Sequence, residues 1–123
     1  MKSGNAITWF EIPVSDFERA RAFYEAIFEI EMATSELEGY KMAFFPNTGG
    51  VTGAICFGES YIPSGNGVLL YLNASPDLNA VLERVMENHG HILVPKTAIG
   101  EGMGYYAIVV DSEGNRLALQ SSE

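Results

Sequence analysis

Among the side chains of this 123-residue sequence that could act as a general base, a nucleophile or a metal ligand, Glu11 is the foremost candidate. Alternation along an extended strand places Glu11 on the same face as Trp9 and Pro13, opposite Phe10 and Ile12. A carboxylate among aromatic and aliphatic walls has its charged form disfavoured, as in many general acids and bases. Glu11 is therefore the candidate catalytic residue. The alternatives are that it pairs with a Lys or Arg, or that it lies at a wet rim.

A group of apolar side chains with a few polar neighbours forms the candidate ligand-binding site. If alternation holds in their strands, they line the same concavity as Glu11. An apolar cup with a few polar groups suits a flat organic ligand; the alternative is that the aromatic rings simply fill the core. The residues of this set are Trp9, Met42, Phe44, Cys56, Tyr71, Asn73 and Gln120.

The remaining titratable candidates have simpler interpretations. Cys56 has no close His or basic neighbour in the sequence, so a small buried hydrophobic side chain is favoured over a thiolate nucleophile. His89 and His91 flank Gly90 where a helix is predicted to end. A favourable interaction with the helix dipole explains them better than a metal, because no third ligand is evident.

A glycine-rich stretch at residues 100–104 follows Lys96 and Thr97 and leads to Tyr105 and Tyr106. As a lid over the cleft, this segment would supply the Lys96 cation to an anionic ligand, with Tyr106 nearby. As a plain connecting loop, its glycines need only backbone freedom. Both interpretations stay open.

Periodicity places these residues on two copies of one arrangement. Residues 6–14 alternate as a strand, Ser15 and Glu18 match a capping box, and an apolar stripe from Phe17 to Phe28 predicts a helix. The second copy has a strand at 68–74, Ser75 as N-cap, Pro76 at the first helical position and a helix stopped by Gly90. Further strands are predicted at 31–33, 40–45, 51–57, 92–94, 105–110 and 116–120, with hairpin connections at 46–50 and 111–115.

The order of elements therefore predicts an α+β fold of two tandem βαβββ modules, forming a curled mixed sheet around a central cleft. Module 1 spans about residues 6–58, a linker about 59–66, and module 2 about 67–121. A chain of this length is expected to form a single domain, 1–123.

Composition restricts the partners and the compartment. Seven Lys and Arg against sixteen Asp and Glu give a net charge of −9, which argues against nucleic-acid binding. One cysteine allows no internal disulfide, the N-terminus leads into a strand rather than an apolar export segment, and the apolar runs are too short to span a bilayer. We expect a cytoplasmic protein that binds neither nucleic acid nor membranes.

Two passages carry a resemblance to a known family. Residues 10–24, with the pattern V-x-D-x-x-x-x-x-x-F-Y, resemble the opening strand and helix of the vicinal oxygen chelate superfamily. This superfamily includes glyoxalase I, bleomycin-resistance proteins and extradiol dioxygenases. Residues 111–117, D-S-E-G-N-R-L, resemble its closing D-P-E-G-N-x-I-E-L hairpin.

The resemblance implies metal ligands on the first and last strands of each module, and this sequence lacks them. Trp9 and Leu69 stand at the two opening positions, and Ala118 stands at the closing Glu of the second module. The counterpart in the first module is Ala54 or, by a one-residue shift, Ile55. Catalytic zinc and oxygenase iron each need about three protein ligands, so we expect no metal and no cofactor.

The resemblance to bleomycin-resistance proteins implies a metal-independent protein that binds a small flat or aromatic ligand, as a homodimer. One alternative is a lyase or isomerase in which Glu11 abstracts a proton and Lys96, Asn73 or a tyrosine hydroxyl stabilises the oxyanion. Others are a metal-dependent lyase or dioxygenase with unaligned ligands, and a subunit that modulates a partner. Whether the protein is an enzyme stays open at this point.

Overall fold

A computed structural model describes residues 4–123. Two helices and eight strands follow one another in the predicted order, twice βαβββ, which confirms the predicted tandem modules. The elements are β1 (Phe10–Pro13), α1 (Phe17–Phe28), β2 (Ala33–Leu37), β3 (Tyr40–Phe44), β4 (Gly53–Phe57), β5 (Leu70–Asn73), α2 (Leu78–Glu87), β6 (His91–Ala98), β7 (Tyr105–Val110) and β8 (Arg116–Ser121).

Each module forms its own four-stranded mixed sheet, with strand orders β1-β4-β3-β2 and β5-β8-β7-β6. The first strand of each module pairs in parallel with its last strand, which places Glu11 beside Ala54 and Tyr71 beside Ala118. The other pairings are antiparallel. The α+β class is confirmed, with the eight strands divided equally between the two modules.

Both modules contribute to one hydrophobic core. The apolar stripes of α1 and α2 face the sheets and each other, as their helical spacing predicts. Tyr24, near the middle of the α1 stripe, and Leu78, at the start of the α2 stripe, are fully buried. The core continues into the inner faces of the central strands through Ile55 and Leu119. Neither helix has the length and apolar sequence needed to cross a membrane, within residues 4–123.

The ends of the strands differ from the predicted ones where tertiary contacts override the local pattern. The first strand begins at Phe10 rather than residue 6, because its partner β4 offers register positions only from Gly53 to Cys56. The second strand lies at 33–37 instead of 31–33, paired with β3. The sixth extends from 91 to 98 through two register shifts.

Both predicted helix caps are wrong in position. Asp16, not Ser15, is the N-cap of α1, and its carboxylate accepts a hydrogen bond from the Arg19 amide. Asp77, not Ser75, is the N-cap of α2, and it accepts one from the Asn79 amide. Aspartate caps a helix as well as serine does, so the local sequence alone did not separate the choices.

The turn between β7 and β8, residues 111–115, connects module 2 to the start of α1. The fully buried carboxylate of Glu113 accepts hydrogen bonds from the Ser15 and Asp16 amides at 3.0 and 2.7 Å. It also forms an ion pair with Arg19, with Nε 2.8 Å from Oε2. The predicted capping box does not form, because the Ser15 amide donates its hydrogen bond to Glu113 and not to Glu18.

Asp111 organises the same turn from within the core. It accepts hydrogen bonds from the Tyr24 hydroxyl at 2.5 Å and from the Asn115 amide at 2.9 Å. The Asn115 side chain in turn donates to the carbonyl of Pro13 at 2.7 Å, at the end of β1. The turn is therefore bound both to the helix and to the first strand of the other module.

The start of α2 has no equivalent connection to module 1 among the described hydrogen bonds. Its first amide, Leu78 N, donates to the carbonyl of Glu123 at 2.9 Å, and the Ser122 amide donates to the Ser75 hydroxyl at 3.2 Å. Both partners belong to the segment that follows β8. The two helix starts are thus bound in different ways, one across the modules and one inside module 2.

Candidate functional site

Glu11 lies on the outer face of the first sheet and is held by two donors. The hydroxyl of Tyr61 donates to Oε1 at 2.6 Å, and the indole Nε1 of Trp9 donates to Oε2 at 3.2 Å. Within residues 4–123, no Lys or Arg forms an ion pair with this carboxylate at 4.0 Å or less. Glu11 therefore carries a negative charge that no described cation balances.

Aromatic rings surround this carboxylate. The rings of Trp9 and Phe44 lie 6.1 Å apart, and those of Tyr61 and Tyr40 lie 6.2 Å apart in an edge-to-face arrangement. Trp9 is 41% exposed and Tyr40 40%, so ring surface is open to a ligand. We call Trp9, Glu11, Tyr40, Phe44 and Tyr61 the Glu11 surface.

Cys56 lies beneath the Glu11 surface, fully buried and next to Met42 in the strand register. Burial first, and then the charge of Glu11, raises the pKa of the Cys56 thiol to about 12. The thiol is therefore protonated near neutral pH, which supports the interpretation as a small buried hydrophobic side chain rather than a nucleophile.

Tyr61 was not predicted as a site residue, although its hydroxyl donates a hydrogen bond to Glu11. It belongs to the segment predicted as a linker, where no strand or helix periodicity assigns a direction to a side chain. Its aromatic character amid Glu59, Ser60 and Pro63 was the only signal in the sequence. The hydrogen bond to Glu11 is the main reason that the pKa of the Tyr61 hydroxyl is raised.

The second group of predicted residues lies on module 2, around two adjoining cavities of about 610 and 590 Å³. Tyr71 and Gln120 line both, Asn73 lines the first, and Tyr106 lines the second. The rings of Tyr71 and Tyr106 lie 6.5 Å apart at an angle of 45°. We call these two spaces the Tyr71 cavities.

Within residues 4–123, the walls of the Tyr71 cavities contain no Asp, Glu, Lys, Arg or His. Their polar groups are the hydroxyls and amides of Tyr, Ser, Thr, Asn and Gln side chains, together with backbone. Gly100, Gly102 and Gly104 form one wall with Met103, which is 61% exposed. Gly104 has φ of +77° and approaches the Ser121 backbone too closely to allow a Cβ atom, so this glycine has a structural requirement.

Lys96 is not part of these cavities. Its Nζ lies 4.5 Å from the centre of the Tyr105 ring, a cation–π contact. Neither Tyr71 cavity includes Glu11 or Trp9 in its walls. The structure thus brings together Glu11, Trp9 and Phe44 over Cys56, and separately Tyr71, Asn73, Tyr106 and Gln120. No described hydrogen bond joins Glu11 to Lys96 or Asn73, and no cavity has Glu11 in its walls together with either of them.

A third cavity, of about 830 Å³, lies between the modules next to the free edge of β5. Its walls are mainly apolar, with Phe10 and Phe45 from module 1 and Leu70 from module 2. Arg84 is the one charged side chain among its described wall residues. It is already engaged, because its Nε donates to the carbonyl of Ile27 at 2.9 Å.

The described residues do not fit a metal ion at the positions that the resemblance implies. Trp9 and Leu69 offer no ligand atom for a metal, and Ala54 and Ala118 are fully buried alanines. No group of three or more His, Cys, Asp and Glu side chains with metal-binding geometry occurs within residues 4–123. His89 and His91 lie at the end of α2 and the start of β6, outside both candidate surfaces.

The fold and these two surfaces define a class of protein: a small α+β chain of paired βαβββ modules with candidate ligand surfaces on its sheets. A model of the Glyoxalase/Bleomycin resistance protein/Dioxygenase superfamily matches residues 6–119. The chain belongs to this superfamily, as the opening and closing passages predicted. A glyoxylase-like domain-containing protein of Didymella fabae is 31% identical over 119 residues, covering 92% of this chain and 91% of that protein.

Solved structures share the fold at low identity. A glyoxalase/bleomycin resistance protein of Albidiferax ferrireducens T118 has a TM-score of 0.72 at 20% identity, with 95% of this chain and 98% of that chain covered. TnmS3 of Streptomyces sp. CB03234, an antibiotic binding protein, has a TM-score of 0.64 at 19% identity, with 98% of both chains covered. These likenesses establish the architecture.

Proposed function

We propose that the protein binds a small flat or aromatic organic ligand in the Tyr71 cavities, without a metal ion. The observation that carries this proposal is the pair of adjoining cavities that share Tyr71 and Gln120 and have no charged side chain among their described wall residues. In a chain with twenty-three charged residues, such walls favour a neutral ligand.

The side chains of the cavities suit a planar ring system. Tyr71 is 49% exposed and offers ring surface for stacking, while its hydroxyl and the Gln120 amide can hydrogen-bond to carbonyl or hydroxyl groups of a ligand. Met103 adds an adaptable apolar contact from the glycine-rich loop. The described antibiotic-binding activity of the structural relative TnmS3 is compatible with this role.

We expect the neutral, planar and fluorescent compound acridone to bind to the protein, measured by titration calorimetry or fluorescence. Tyr71→Ala removes the stacking surface shared by both cavities and is expected to weaken binding by about tenfold. Leu37→Ala, which truncates an exposed apolar side chain of the other module, is the matched control and should leave affinity unchanged. Binding should also be the same with and without a chelator.

Two results would contradict the proposal. Equal loss of affinity in Tyr71→Ala and Leu37→Ala would show that acridone does not occupy the Tyr71 cavities. Loss of binding on chelation, restored by zinc, iron or manganese, would show that a metal takes part.

A proton-transfer role for Glu11 is the second candidate function, favoured by the short hydrogen bond from Tyr61 at 2.6 Å. Tyr61 would be the donor that stabilises an oxyanion in such a reaction, because Lys96 and Asn73 lie elsewhere in the chain. Both Glu11 oxygens already accept hydrogen bonds, so only their remaining lone pairs are open to a substrate proton. Binding is therefore the better supported function.

We also propose that the protein is a cytoplasmic homodimer. Four edge strands, β1, β2, β5 and β6, are open in the two sheets, and exposed Trp9 and Tyr71 lie on the separate candidate surfaces. The free, buried thiol of Cys56 suits a reducing compartment.

Sedimentation equilibrium tests the dimer directly. At micromolar protein concentration we expect twice the mass of one chain. Tyr71→Arg, which places a charge among the uncharged side chains of the Tyr71 cavities, should shift the equilibrium towards the monomer. Glu31→Arg, a change on an exposed site outside both surfaces, serves as control. A monomer in the unaltered protein at these concentrations would overturn the proposal.

A further inference from the structure

We propose that the Glu11 surface is a binding site for an organic cation, such as a quaternary ammonium or an N-alkylated aromatic ring. This inference concerns module 1 and is independent of a ligand in the Tyr71 cavities. It follows from the direction of the hydrogen bonds, the position of Lys41 in the first sheet and the arrangement of the rings.

The hydrogen bonds determine which groups remain for a ligand. The Trp9 indole and the Tyr61 hydroxyl both direct their only protons at Glu11. An anionic or purely accepting ligand would therefore find no free side-chain donor on these two residues. Glu11 keeps unused acceptor positions, because a carboxylate offers about four lone-pair sites and two are occupied.

The nearest lysine in the first sheet does not neutralise Glu11. Lys41 and Met42 are consecutive in β3, so they lie on opposite faces of the sheet. Lys41 Nζ lies 6.0 and 5.9 Å from the ring centres of Phe17 and Phe57 and 3.8 Å from the Glu36 carboxylate. It thus contacts α1 rather than the side of the sheet that bears Glu11.

The rings complete the recognition of a cation. Trp and Tyr faces attract positive charge through their quadrupole, and Trp9 and Tyr40 are each about two-fifths exposed. The rings of Phe44 and Tyr61 lie against those two. Glu11 is thus held by two aromatic residues that pack against two further rings, which offers the charge and the aromatic surface that recognise quaternary ammonium groups.

The rest of the molecule strengthens this preference. A net charge of −9 makes the surface potential negative over much of the protein, which raises the local concentration of cations. The charge of Glu11 is the second cause of the raised pKa of the Cys56 thiol, after burial, so its field reaches the floor of this surface. A cation bound at Glu11 would relieve that field.

The test uses a matched pair of flat probes, the cation 1-methylquinolinium and the neutral 1-methyl-2-quinolone. Trp9 is the only tryptophan, so its indole N–H signal in a nitrogen-15 NMR spectrum reports on this surface alone. We expect 1-methylquinolinium to move that signal and to bind at least about fivefold more tightly than the quinolone, consistent with a cation–π contact and a nearby carboxylate.

Glu11→Gln removes the charge and keeps the shape and the acceptor for Tyr61. It should abolish the preference for the cation. Glu31→Gln, which removes one charge from an exposed position of the same module, should retain it. Tyr71→Ala should also retain it, which separates this site from the Tyr71 cavities.

Three results would overturn the inference: equal affinity for the two probes in the unaltered protein, an unchanged preference in Glu11→Gln, or an equal loss in Glu31→Gln. The last would assign the effect to net charge rather than to Glu11. The comparison of probes on the unaltered protein decides the question even if a variant does not fold.

Discussion

Glu113→Ala is expected to lower the free energy of unfolding by about 3–4 kcal/mol, because it removes the buried carboxylate that accepts hydrogen bonds from two backbone amides and pairs with a guanidinium. The Glu113 side chain is fully buried and accepts from the Ser15 and Asp16 amides and from Arg19. Since Arg19 is half exposed, most of the loss arises at the two amides. Urea denaturation followed by circular dichroism measures it.

The control for this change is Glu38→Ala, which truncates an exposed glutamate in the β2–β3 turn. It should alter stability by less than about 0.5 kcal/mol, as surface substitutions usually do. A loss of similar size in both variants would contradict a special role for Glu113. Glu113→Gln, which keeps an acceptor oxygen, should fall between the two.

The same carboxylate gives the protein a pH-dependent stability. Burial alone would raise the pKa of Glu113, but hydrogen bonds from Arg19, the Asp16 amide, Ser112 and the Ser15 amide outweigh it and lower the pKa from 4.5 to about 2. A pKa lowered by folding means that the unfolded chain binds the proton first. The stabilisation is therefore complete above about pH 4.5 and is lost as the pH falls towards 2. Glu113→Gln should flatten the stability profile in that window.

Asp111→Ala is the second substitution with a large expected effect, a loss of about 2–4 kcal/mol of unfolding free energy. It would leave the buried Tyr24 hydroxyl and the Asn115 amide without their acceptor. Burial, followed by the charge of Asp111, raises the pKa of the Tyr24 hydroxyl well above its ordinary value, so Tyr24 remains a donor at any pH at which the protein functions.

A double-mutant cycle with Tyr24→Phe isolates this pair. Tyr24→Phe alone removes the donor and keeps the ring, and it should cost about 1–2 kcal/mol. Once Tyr24 lacks its hydroxyl, Asp111→Ala should cost less than it does in the unaltered protein. Strict additivity of the two changes would mean that the hydrogen bond contributes nothing of its own.

The elements could be predicted from the sequence because their signals are local. The apolar stripes from Phe17 to Phe28 and from Leu78 to Glu87 determine the buried faces of the helices, and the strand at 105–110 was predicted with its observed bounds. The start of α1 was misplaced because Glu113, which is 98 positions away, accepts a hydrogen bond from the Ser15 amide. Contacts of that range leave no trace in local periodicity.

The strand face on which each candidate residue lies could be predicted from the sequence, but the division of these residues between two surfaces could not. Alternation correctly placed Glu11 with Trp9, and Tyr71 with Asn73, because parity is a property of each strand. Alternation could not indicate that Glu11 and Trp9 lie on one surface, whereas Tyr71 and Asn73 line separate cavities. That separation depends on how the helices of the two modules pack, which involves residues on the opposite faces of both sheets.

The unequal way in which the two helix starts are bound has a consequence for the history of the chain. A duplicated module begins with two identical halves, yet here α1 depends on the turn at 111–115 of the other half, while α2 is completed by the segment after β8. Module 2 thus contains the partners of its own helix start, and module 1 does not. If the two halves were separated, α1 would lose the acceptor of the Ser15 and Asp16 amides, whereas the hydrogen bonds at the start of α2 would remain.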